Sequence, residues 1–200
     1  MPEDIVNFNF CYKKVYKEDS YFKIMKRVID KAGQVWIETV IYTLIGLAII
    51  GLVLATALPK INEKKDSITI EQSIEALGNI NNKVYEVQRA EGNRRIVNLD
   101  IRKGALIVDM EKDTISWLID SSFPYSEVGI PVSLGILNVT TREGNPWVVE
   151  LKLGYDIDLT YNGINTGTKQ LDSAPTPYRF TIEHAGNNVD GDIMVDLSDI

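Results

Sequence analysis

Beyond residue 33 this chain has no cysteine and a single histidine. Cys11, the one thiol among 200 residues, lies upstream, so no disulfide framework can staple the C-terminal part. His184 has no second His or Cys close by in sequence to complete a zinc site, which leaves it a structural or surface residue. No nucleophile elbow, phosphate loop, dinucleotide fingerprint or zinc-protease helix occurs. Asp156 and Asp158 have the spacing of a carboxylate pair, yet in YDIDLTY they read more simply as the solvent face of an alternating strand, opposite Ile157 and Leu159. Concentrated positive charge is also missing. Residues 34–200 hold 14 Lys and Arg against 23 Asp and Glu, a net −9 with the cations scattered, so nucleic acid is not an expected partner. Enzymatic chemistry, a cofactor and a bound metal are all not expected.

What the chain does have is one long apolar run. Residues 39–58, TVIYTLIGLAIIGLVLATAL, carry no charge, and about twenty residues at ~1.5 Å each cross a ~30 Å hydrocarbon core. Gly46, Gly51, Thr39, Thr43 and Thr56 are small residues of the kind that let a second helix approach. Lys26, Arg27 and Lys31, with Asp30 among them, precede the run, and Lys60, Lys64 and Lys65 follow it, so charge bias leaves its orientation open. A cleavable secretory signal fits poorly. The run exceeds the usual signal core of about 7–15 residues, and Glu38 stands where such a core is already apolar. The helical pattern also continues past Pro59, with Ile70, Ile74, Leu77, Ile80, Val84 and Val87 spaced three and four apart, as in an amphipathic helix.

The residues before the run, Lys31-Ala32-Gly33-Gln34-Val35-Trp36-Ile37-Glu38, resemble the processing site of archaeal type IV prepilins, and Gln as the new first residue resembles a subgroup of them. The resemblance covers about 35 residues, the leader and the helix. It implies that a prepilin peptidase cuts between Gly33 and Gln34, after a leader whose basic residues are Lys26, Arg27 and Lys31. It also implies that Gln34 and Glu38, the first and fifth mature residues, take part in assembly, the carboxylate of one subunit meeting the α-amine of the next. Thirty-three residues is long for such a leader. Met25 begins MKRVIDKAG, a nine-residue leader that fits better, so Met25 is the expected start and residues 1–24 an upstream extension or a cytoplasmic tail. An uncleaved anchor, with Glu38 at the lipid headgroups, is the alternative.

From Arg94 the pattern turns to alternation. Strands are expected over residues 96–101, 105–110, 114–120, 132–141, 147–160, 178–184 and 192–197, with turns at 102–104, 111–113, 143–146 and 185–188. Residues 161–177, polar and rich in Gly, Asn, Thr and Pro, read as an exposed loop. Asn138-Val139-Thr140 is an N-glycosylation acceptor if this region lies outside the cytoplasm. Asp190, Asp192, Asp196 and Asp199 lack the glycine and glutamate positions of a calcium loop and are expected on the outer face of the last strand. The expected fold is α+β: a long N-terminal transmembrane helix, then an antiparallel β-sheet or β-sandwich head. The expected organisation is a leader over 1–33, an apolar assembly helix over 34–58, its amphipathic continuation over 59–92 and an extracellular head over 93–200. The function this implies is a pilin or minor pilin-like subunit of a cell-surface filament, serving adhesion or attachment. Its partners would be the prepilin peptidase, other pilin subunits and, before assembly, membrane lipid. The alternatives are an anchored extracellular β-domain that binds a ligand, and an archaellin-like subunit.

Overall fold

A computed structural model describes the backbone of residues 4–200 and the side chains from Val35 onward. The fold is α+β, with one long helix, α1 (Asp4–Val87), ahead of ten strands among the described residues. The chain divides into two compact units, Met1–Leu58 and Pro59–Ile200. The boundary falls at a proline inside α1, a residue that has no N–H to give the preceding turn.

In the second unit the helix buries one seam. Asp66, Ile70, Ser73, Leu77, Ile80, Val84 and Val87 are all buried, at alternating spacings of four and three. A 3.5-residue average keeps such a seam facing the same way along the helix. Ile74, expected on the seam, is only half-buried at its flank; Ser73 takes the seam position and its hydroxyl donates to the Thr69 carbonyl at 2.9 Å. Seam and strands share a single apolar core, to which no described residue before Ile70 contributes.

The strands form two sheets. The first holds β1 (Arg94–Leu99), β9 (Tyr178–Asn187), β10 (Ile193–Asp199) and β7 (Asp158–Tyr161), in that order across the sheet. The second runs β4 (Val132–Leu134), β5 (Leu137–Arg142), β6 (Trp147–Gly154), β3 (Thr114–Ser121), β2 (Ala105–Asp109) and β8 (Thr168–Asp172). Among the named strands all pairings are antiparallel except β10 with β7, which is parallel, and an isolated parallel bridge joins Val128 to Thr141.

Five sequence expectations need correction, the first being the turn expected at 185–188, where β9 continues to Asn187 and the turn falls at 188–191. Residues 132–141 make two strands, because Gly135 adopts φ +68° and turns the chain into a hairpin that pairs Leu134 with Leu137. Residues 147–160 also make two, and these belong to different sheets. Asp113, itself at φ +51°, captures the chain as it leaves β6: its carbonyl accepts from Tyr155 N at 3.0 Å and its carboxylate from Leu159 N at 2.8 Å. Asp156 therefore sits in the bend rather than on a common strand with Asp158. The expected loop over 161–177 contains β8, a polar edge strand that buries only Leu171 fully, so its alternation is weak in sequence. Finally, β10 pairs in parallel with β7, a long-range choice with no local sequence signal.

Candidate functional site

The outstanding surface is the apolar part of α1. Val35, Trp36, Ile37, Ile41, Tyr42, Leu44, Ile45, Leu47, Ile49, Ile50, Leu52, Val53, Leu54 and Leu58 are each 48–72% exposed. A water-facing helix normally hides one stripe and shows a polar face. This one is apolar all round, and α1 is long and apolar enough to cross a membrane.

Its polar groups suit that setting. The Thr39 hydroxyl donates to Val35 O at 2.9 Å, that of Thr43 to Val40 O at 2.8 Å and that of Thr56 to Val53 O at 3.0 Å. Each hydroxyl is thus satisfied within its own helix and brings no unmet donor into lipid or a helix bundle. Nothing lies within 4 Å of where a Cβ would project at Gly46 or Gly51. Glu38 is exposed at the start of the apolar stretch. The helix backbone runs through Gly33 and Gln34, while the side chains of Gln34, Lys26, Arg27 and Lys31 lie outside the described residues.

The other sequence-singled residues scatter over the second unit. Asn138 is exposed on β5, where its side-chain oxygen accepts from the Ser133 hydroxyl of β4 at 2.7 Å. His184 is buried in β9, 6% exposed, and its Nδ1 accepts from Gly186 N at 3.2 Å, which is a structural role. The late acids do not share one outer face. Asp196 points away from the buried Val195 and Leu197 and accepts from the Thr160 hydroxyl and Gly163 N, whereas Asp199 accepts from the Tyr161 hydroxyl at 2.6 Å. Asp190 and Asp192 lie before the strand, in the turn held by the Asn188 side chain. Asp192 lines an open acidic cleft with Glu111, Asp113, Asp156 and Asp158. Burial and the nearby carboxylates of Asp158, Asp109 and Asp192 push the Asp113 carboxyl up, against the hydrogen bond from Leu159 N. Among the described residues no three His, Cys, Asp or Glu side chains converge closely enough to hold a metal ion.

Two features had no sequence signal. Asp66, the first seam residue, accepts from the Lys103 ammonium and from Ser122 N at 2.8 Å, tying the helix to both ends of the β2–β3 region. Burial pushes its carboxyl up, but Lys103 and Ser122 outweigh that and hold it below the usual carboxylate range. The second feature is exposed apolar surface on and beside β4: Val132 and Leu134 lie on the strand, Val128 and Ile130 precede it, with Val128 bridging Thr141 of β5, and Ile136 sits in the hairpin turn. No protein-family model matches the chain, and neither a curated protein nor a solved structure matches it.

Proposed function

We propose that the chain is a structural subunit, a pilin or minor pilin-like protein, of an archaeal type IV pilus-like filament on the cell surface. The observation that carries this reading is the bare apolar helix directly after Gly33-Gln34 and Glu38, on a chain whose hydrophobic core is complete without it. Such a surface is stable in only two settings, lipid and a bundle of like helices. A subunit that waits in the membrane and then assembles uses both in turn.

In this scheme a prepilin peptidase removes the leader after Gly33, residues 34–58 anchor the mature chain, and the β-rich unit faces outside and serves attachment. Once helices pack, a carboxylate in their midst costs several kcal/mol unless paired. Cleavage supplies a partner that a neighbouring subunit can bring, because it creates an α-amine on Gln34, with a reference pKa of about 8, four residues before Glu38. An amine of one subunit against the Glu38 carboxylate of the next joins copies in a fixed register.

The test is N-terminal sequencing with intact mass measurement on protein recovered from its native membranes. A mature chain beginning at Gln34 is expected. A chain beginning at Met1 or Met25 would instead identify an uncleaved anchored binding module.

A further inference from the structure

One row across the six-stranded sheet is apolar from edge to edge, and of that row only the residue on β4 is uncovered. Across the sheet the register sets Val132, Val139, Leu151, Trp117, Leu106 and Leu171 side by side. Five of the six are 0–6% exposed, while Val132, on β4, is 41% exposed. The adjacent row repeats the pattern, with Leu134 at 46% beside Leu137 at 5% and Leu153 at 1%. Thus β4 extends the core-facing layer beyond the elements that cover it.

Charge sets this edge apart. The sheet edges are β1, β7, β4 and β8. Three carry charges of the kind that discourage edge pairing: Arg94 and Arg95 on β1, Asp158 on β7, Lys169 and Asp172 on β8. The β4 strand, Val-Ser-Leu, has none, and no charge occurs from Val128 to Thr141, the longest such stretch after residue 58.

We propose that the β4 shelf is a contact for a second copy of this chain, made between β-rich units within the assembly; the inference rests on the filament reading above. Residues 59–200 hold 14 Lys and Arg against 22 Asp and Glu, so two copies repel over most of their surface and approach best where charge is absent. The shelf presents on the order of 400 Å² of apolar surface, about half of the ~800 Å² per partner that a stable pair from solution buries. It is therefore too small to recruit a partner unaided. It suffices once another interface, the residue 35–58 helix, already holds a like subunit at high effective concentration. Asn138 and Ser133 lie on the opposite face of the hairpin from Val132 and Leu134, so a glycan on Asn138 leaves the shelf open.

The experiment places a photo-reactive residue at Leu134, Val189 or Tyr42 of the full chain in its native host. Isotope-mixed copies then distinguish products between copies from those within one. Val189, between β9 and β10 of the other sheet, is a fully exposed apolar control. The expected result is a cross-link between copies from Leu134, at least tenfold above that from Val189, whose second peptide comes from residues 59–200. Leu134→Asp, tested with the probe at Ile130, should reduce that product at least threefold. Capture of lipid or a different protein from Leu134, or no product above the Val189 level, overturns the shelf proposal. Tyr42 reports the helix separately. Cross-links between copies from Tyr42 without Leu134 refute the shelf and leave helix assembly standing; Leu134 without Tyr42 refutes helix assembly and, with it, a shelf that acts only after the helices have met, and silence at both refutes both.

Discussion

Asp66 shows how a single residue joins the helix to the sheets. Its side chain is 12% exposed, held by Lys103 and Ser122 N across sequence separations of 37 and 56 residues. Lys103→Met leaves the carboxylate without its countercharge, and the expected cost is about 1–3 kcal/mol, read from urea unfolding of residues 59–200. Asp66→Asn, which keeps an acceptor for Ser122 N, should cost less. The pH dependence has a definite sign. A carboxyl held below its unfolded value contributes stability that is fully present above about pH 4 and is lost as pH falls through the folded value. In Lys103→Met that acid-side loss should flatten. Asp113 has the opposite sign, since its carboxyl is pushed up by burial and neighbouring acids. Asp113→Asn keeps an acceptor for Leu159 N and tolerates the positive φ, so at pH 7 it should stabilise by on the order of 0.5 kcal/mol. Neither role was legible in the sequence, because an acid whose partner lies dozens of residues away leaves no local pattern.

Among the elements, those whose residues repeat with a period were the legible ones. The seam from Ile70 to Val87 showed in its three-and-four spacing, and strands β1, β2, β3, β9 and β10 in their alternation. The breaks within 132–141 and 147–160 did not show, because Gly135 lies between the apolar Leu134 and Ile136, and the alternation Val149, Leu151, Leu153, Tyr155, Ile157, Leu159 continues unbroken through the Tyr155 bend. The exposed apolar surface at β4 was likewise hidden, since alternation predicts a buried face and says nothing about whether a neighbour covers it. The seam gives a sharp test. Leu77 is fully buried, so Leu77→Ala should cost about 2–5 kcal/mol in unfolding of the β-rich unit. Leu47, 65% exposed and outside the core, should give no measurable change there when replaced by Ala. Equal effects from both would mean that the apolar helix contributes to the core after all.

For the whole molecule, the division into Met1–Leu58 and Pro59–Ile200 separates a unit whose described part, from Val35 on, is exposed apolar helix from one that carries its own core. A fragment of residues 59–200 should accordingly be soluble and show mainly β circular dichroism, with a helical contribution from 59–87; a mainly helical spectrum would contradict the strand assignment. The motif around Gly33, Gln34 and Glu38 was visible in sequence, as was the apolar run, and the proposed assembly through the helix rests on both. The most direct measurement expresses tagged wild type and Glu38→Ala in the native host, then compares cleaved protein in membranes with protein in sheared filaments. Insertion rests on the apolar length of residues 39–58 and cleavage on the Gly33 side of the bond, so both variants should be inserted and cleaved alike. Removing one member of a buried ion pair costs about 3–5 kcal/mol, a factor of a hundred or more in subunit addition, so Glu38→Ala should be nearly absent from filaments. Equal recovery of both cleaved proteins in filaments would contradict the account.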